Sequence, residues 1–289
     1  MNGRTIQFVA VSAVVAGITV ASLAAETHKE LRFSVGPRAG LSVNNPYGSI
    51  SVKPSSGNVV VINAVLASDK VEVDNSQMGN RVEIQSHLLP GADEQSGRVD
   101  YEVLVPADAS ITLHSSTGSL HAERIHGDLS LEGAAATVDA RDISNAHVHV
   151  KTLNGSVTLT NVQDGHVEVD SLSGNVTLKG VTGPLVQVIS TSGGITYIGD
   201  FGDHGEYRLT SHSGDIEAIV PESASADVNA SSVKGEVHDD VHLQPRDHTP
   251  FVIKEGSAFW GTMGRAAVSS TVVLRSFSGK IHLRKRSEK

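Results

Sequence analysis

The chain of 289 residues has no cysteine, 4% aromatic residues, 28 glycines and a formal net charge of −9. Without Cys there are no disulfides, no thiolate catalysis and no cysteine zinc sites, and the acidic balance argues against nucleic acid, whose phosphates require a basic face. A hydrophobic content of 39%, dominated by Val, Leu, Ile and Ala, fits a narrow interior filled with small branched side chains.

Residues 1–25 fit an export signal. Arg4 supplies the positive charge, Ile6 to Val20 an apolar run, and Ala21, Ser22, Leu23, Ala24 and Ala25 a small-residue cleavage zone. Cleavage after Ala24 or Ala25 is expected; an uncleaved N-terminal anchor is the alternative, and only then is the membrane a partner. No later segment approaches the roughly 18 apolar residues that span a bilayer. Losing Arg4 takes 23 basic residues to 22, against 32 acidic ones. The expected location is the periplasm, the cell surface or the extracellular space.

The stretch 26–109 reads as irregular β structure that caps the regular repeats of 110–239. Its strand candidates are Leu31–Val35, Leu41–Val43, Ser49–Val52, Val59–Leu66, Lys70–Val73, Arg81–Gln85 and Val99–Val105, separated by Pro and Gly. The segment from Leu41 to Val52 already resembles a repeat unit and is expected to open a stack. The rest covers its end, since a bare first rung leaves backbone groups unpaired.

Across 110–239 one pattern returns: Gly118 to Ala122, Gly155 to Leu159, Gly174 to Leu178, Gly193 to Tyr197, Gly214 to Ala218 and Gly235 to Asp239. The interval is 19 to 21 residues, and Ala136 to Ala140 divides the first, double-length gap. A second strand in each unit carries the apolar pairs Ile111/Leu113, Leu129/Leu131, Val148/Val150, Val167/Val169, Val186/Val188, Tyr207/Leu209 and Val228/Ala230. Two residues beyond them stand Ser115, Thr152, Ser171, Ser190, Ser211 and Ser232. There a hydroxyl can bond the backbone as the chain turns, and the glycine allows a close approach. Units of this length cannot bury their own apolar faces, so they stack. The predicted fold is an all-β parallel β-solenoid of about 19–21 residues per coil, right-handed by the rule for parallel crossovers.

Residues 240–289 are expected to hold a closing coil and a tail. The pattern returns at Thr271–Leu274 and again from Ser276 to Leu283. Trp260 is expected to close the core, and Arg284, Lys285 and Arg286 to form a solvated tail.

With these residues in view, the chain resembles the bacterial β-strand-repeat family labelled "putative adhesin", a family of unknown function found in exported and envelope proteins. The matching features are the run Asn45-Pro46-Tyr47-Gly48-Ser49-Ile50-Ser51-Val52, the strand Tyr101 to Pro106 leading into Ile111 and Leu113, the Ser-x-Ser-Gly corners, and the run from Ser276 to Leu283. The resemblance covers roughly Leu31 to Lys285 and implies a β-solenoid at the cell envelope. It carries over no catalytic or binding residue.

Three surface patterns bear on function. His147 and His149 flank inward Val148, and His166 and Glu168 flank inward Val167, so the four should form one outer patch with the chemistry of a Zn²⁺ site; a solvated cross-strand ladder is the bland reading. The outward column His121, Asp139, Thr158, Thr177, Thr196, Glu217 and His238 holds three consecutive threonines, reminiscent of ice-binding hydroxyl arrays but equally ordinary exposed strand residues. Some β-helices are carbohydrate-active enzymes with clustered acids, yet Asp139 and Glu217 should lie about four rungs, ~19 Å, apart. The reading is therefore a non-catalytic envelope scaffold with adhesion-like surface binding, no cofactor, and a glycan or another envelope protein as partner. The alternatives are a β-helix carbohydrate-active enzyme, expected to show a cleft of clustered acids, and a structural or stress-response module, expected to show an apolar strip.

Overall fold

Alternation of apolar and polar residues, repeated at a fixed interval, produces two sheets rather than one. The computed structural model describes residues 26–241, 243–244, 257–264 and 270–286; the export segment lies outside them. It is all-β, with two 12-stranded sheets. In each regular coil one strand enters the first sheet (Ser110–Thr117, Leu129–Gly133, His147–Thr152, His166–Ser171, Leu185–Ser190, Glu206–Ser211). The next enters the second (Ser119–Glu123, Thr137–Ser144, Val157–Gln163, Val176–Val181, Ile195–Ile198, Ile216–Val220). Neighbours are parallel and in step: Ile111 lies beside Leu129, then Val148, Val167, Val186 and Tyr207. All of these are buried. The fold is the β-solenoid expected from the period, with a two-sided cross-section.

The corner leading from the first sheet to the second is built identically in most coils. Ser171 Oγ donates to the Gly174 carbonyl at 2.7 Å and Ser190 Oγ to the Gly193 carbonyl at 2.8 Å, while the Gly155, Gly214 and Gly279 amides donate to Thr152, Ser211 and Ser276 hydroxyls at 2.9–3.0 Å. These hydroxyls are buried, and a buried acceptor that loses its donor costs ~1–3 kcal/mol. Ser190→Ala is therefore expected to lower stability by ~1–2 kcal/mol, read as a shift of the urea midpoint at unchanged slope. One coil departs from the rule in an instructive way. Gly133 stands in the hydroxyl position and Ala136 in the glycine position, and a Cβ added at Gly133 would lie 3.0 Å from the Ala136 methyl. The methyl occupies the space that the hydroxyl side chain fills elsewhere.

The second sheet carries a kink in register. Arg124, Asp142, Asn161 and Gly180, one above another, have φ of 56°, 54°, 55° and 60°. Asn, Asp and Gly tolerate this left-handed region better than other residues. The kink places two outward residues in succession and returns Ile143, Val162 and Val181 to the core.

The ends depart from sequential stacking. Setting aside two capping strands in each sheet leaves ten coils among the described residues. At the N-terminal end, the coil of Gly40–Tyr47 and Ile50–Pro54 lies directly against the first regular coil, and the later segment Arg81–Leu88 with Val99–Val105 lies outside it. Antiparallel strands Thr27–Ser34, Val59–Leu66 and Val71–Met78 close this end. Asn45, from the Asn-Pro-Tyr-Gly run, joins these layers: its amide donates to the Val99 carbonyl, and Ser86 bridges it to the Tyr101 hydroxyl, each at 2.8 Å. Burial pushes the Tyr101 hydroxyl up to about 12, so it stays protonated within this network.

At the other end the expectation of a closing coil needs correcting. Ser270–Ser276 lies between Glu206–Ser211 and Ala226–Ser232, and Ile281–Lys285 lies between Ile216–Val220 and Val237–Asp239. The last segment in sequence is thus the penultimate coil in space. Trp260 also differs from expectation. It sits in the antiparallel edge strand Ser257–Met263, whose alternation turns Gly261 and Met263 inward and leaves Trp260 41% exposed, its Nε1 donating to Asn229 Oδ1 at 2.6 Å. The bulky interior residues lie elsewhere, where Tyr197, Phe201 and Tyr207 pack with ring centroids 4.9–5.7 Å apart.

Candidate binding surfaces

On the outer face of the first sheet, His147 is paired with His166 and His149 with Glu168 on adjacent rungs, as the spacing predicted. The two imidazoles meet edge-on with centroids 4.8 Å apart, and His149 Nδ1 is 3.5 Å from Glu168 Oε2. Residues two apart on one strand are separated by ~6–7 Å, so the residues stand as two side-by-side pairs. Among the described residues no group of three or more His, Asp or Glu is arranged to hold a metal ion.

On the second sheet, Thr158, Thr177 and Thr196 form the expected column, between Asp139 and Glu217. His282 then intervenes between Glu217 and His238, a placement that sequential alignment missed. The same insertion sets Val273 between Arg208 and Asn229. Arg284 Nε donates to Glu217 Oε1 at 2.7 Å, and His282 Nε2 lies 2.7 Å from Asp240 Oδ2. Gly194 leaves a gap in the surface between Asn175 and Asp215, opening a polar depression of about 520 Å³ that also reaches Thr177, Thr196 and Lys280. Asp139 and Glu217 are four rungs apart in the observed register. That is ~19 Å, beyond the ~5–9.5 Å that separates the two carboxylates of a glycosidase.

A third surface escaped the sequence reading. The residue after each corner hydroxyl points outward, and Leu153 and Leu172 occupy that position on adjacent rungs, 52% and 49% exposed. They line one side of a groove of about 440 Å³ whose other wall is the ladder His114, Glu132, Lys151, Asp170 and Ile189, the last 45% exposed. Further along the same corner His212 stacks on Phe277 at 4.9 Å, and Lys234 Nζ lies 4.7 Å from the centre of that ring. The signal was present as two leucines in one repeat position, where the next coils carry Thr191 and His212.

The model of the family described as Toastrack DUF4097 matches residues 39–259, from the first coil to the C-terminal capping strand. The chain belongs to the Toastrack DUF4097 family. The matched stretch of this Toastrack protein ends before the intercalated coil at Ser270–Ser276 and Ile281–Lys285. Among solved structures, a "putative cell adhesion protein" from Clostridium sporogenes is 14% identical, with 90% of this chain and 100% of that one covered and a TM-score of 0.30. A "putative adhesin" from Bacteroides fragilis is 10% identical, over 89% of this chain and 97% of that one, with a TM-score of 0.45. No curated protein matches the sequence.

Proposed function

We propose that this Toastrack protein is an exported, non-catalytic scaffold of the cell envelope that binds a glycan or another envelope protein through repeated contacts on its long faces. The observation that carries the reading is the unbroken register of the outer faces, which presents equivalent side chains at ~4.8 Å steps along each sheet. Many weak contacts on such a rod add up as avidity. The apolar corner groove favours a second reading, in which one contact is made with a folded protein surface.

A glycan array probed with the mature chain tests the first reading. A polymeric envelope glycan is expected to bind at least tenfold tighter than its monosaccharide, and Thr177→Lys with Thr196→Lys, which interrupts the second-sheet column, is expected to remove that advantage. Equal affinity for polymer and monomer, or turnover of the glycan, contradicts the proposal, as does recovery of the protein in the cytoplasm on fractionation. A Zn²⁺ titration with His147→Ala and His166→Ala as controls decides whether the histidine patch takes part.

A further inference from the structure

We propose that the leucine-lined corner groove is a self-association surface, and that its occupant is a second copy of this chain in antiparallel orientation. Two observations carry this. Leu153 and Leu172 are exposed at the same corner position on adjacent rungs, with exposed Ile189 on the next rung of the neighbouring ladder, and clustering of that kind marks a contact surface. Beside them Lys151 and Asp170 are register partners on adjacent rungs, yet they form no ion pair with each other or with any other described residue. Further along the ladder, by contrast, His114 Nδ1 lies 3.6 Å from Glu132 Oε2.

A pair of exposed leucines flanked by one unpaired cation and one unpaired anion is complementary to itself. A two-fold axis running along the strands, midway between these two rungs, brings Lys151 against Asp170 of the second copy and Asp170 against its Lys151. The same rotation sets Leu153 against Leu172 and Leu172 against Leu153. Closed two-fold pairs of this isologous type are the commonest soluble oligomers. A parallel arrangement instead sets each charge against a leucine and leaves both unpaired. The contact spans about four rungs, ~19 Å, which is small for a specific interface, so the dimer is expected to be weak, with a Kd on the order of 10 µM.

Sedimentation equilibrium of the mature chain tests the proposal. Wild-type protein is expected to convert from monomer to dimer across that concentration range. Lys151→Asp and Asp170→Lys should each weaken the dimer at least tenfold, because a two-fold contact suffers each reversal twice, and the double variant should return to within about threefold of wild type. Leu172→Asp should abolish association while leaving the circular dichroism and thermal midpoint intact. A wild-type chain that stays monomeric at ten times the expected Kd overturns the proposal. So does a double variant as weak as the two single ones.

Discussion

A chain ending at Gly264 is expected to lose the folded state of its last coils, not merely to become one coil shorter. Ser270–Ser276 and Ile281–Lys285 occupy a slot between two other coils, and both neighbours bond to them. The Phe277 amide donates to the Ser211 carbonyl, while the Lys234 amide donates to the Phe277 carbonyl; the Ile216 amide donates to the Lys280 carbonyl, and the Ile281 amide to the Glu236 carbonyl. Val272, Leu274, Ile281 and Leu283 are fully buried, each worth ~1.5–3 kcal/mol. Their summed loss rivals the ~5–15 kcal/mol by which a whole domain is stable. Removal also takes the strand partner of Val237–Asp239 and leaves Ala226–Ser232 paired with the capping strand Ser257–Met263 alone.

The comparison that isolates this effect is deletion of residues 155–173, one complete coil of the 19-residue period seen between Asn175 and Gly194. That deletion joins Asn154 to Gly174 and leaves every remaining pairing equivalent, so it should remove only one coil's share of stability. Hydrogen exchange is expected to show loss of protection through 206–239 in the truncated chain and native protection in the deletion. A synthetic peptide of residues 265–289 added to the truncated chain should restore protection, because the vacant slot offers two unpaired edges and an apolar floor. A truncated chain as protected as the deletion would show that the C-terminal coil contributes nothing inside the stack.

Gly193→Ala and Gly194→Ala, one residue apart, are expected to have opposite consequences. A Cβ at Gly193 would lie 2.1 Å from the Gly174 carbonyl oxygen and 2.6 Å from its carbon, in the coil next along the stack. Neither atom can yield without separating the two coils, so a cost of ~3 kcal/mol or more is expected, at the upper end of overpacking effects. A Cβ at Gly194 meets only the Asn175 side-chain oxygen and the Asp215 carbonyl oxygen, each at 3.6 Å. Alanine there is expected to be neutral or to stabilise by a few tenths of a kcal/mol, through loss of freedom in the unfolded chain, while narrowing the polar depression. Urea denaturation of the two variants checks both signs. Equal midpoints would refute the account of why the first glycine of each corner recurs.

The interior of the regular section was legible because it is written locally. A valine at 148 needs only to know that valines stand at 167 and 186, and a fixed period supplies that knowledge. The same holds for the corner hydroxyls and glycines, whose bonds close within three residues. The histidine pairs and the threonine column followed from the period as well, since each joins successive coils. Trp260 was misread because its size was weighed without the antiparallel pairing that fixes which face it takes.

By itself, then, the amino-acid order determined the period, the two inward columns, the corner chemistry and the family. Only the tertiary structure decided which coil lies on which at the two ends, and with that the entry of His282 and Val273 into columns assembled from distant residues. The physical reason is degeneracy: every coil presents the same hydrogen-bonding edges and much the same aliphatic floor. Local pattern cannot choose among such neighbours, and the choice falls to the connecting segments, the capping strands and contacts such as the Asn45 network that exist only once the chain is folded.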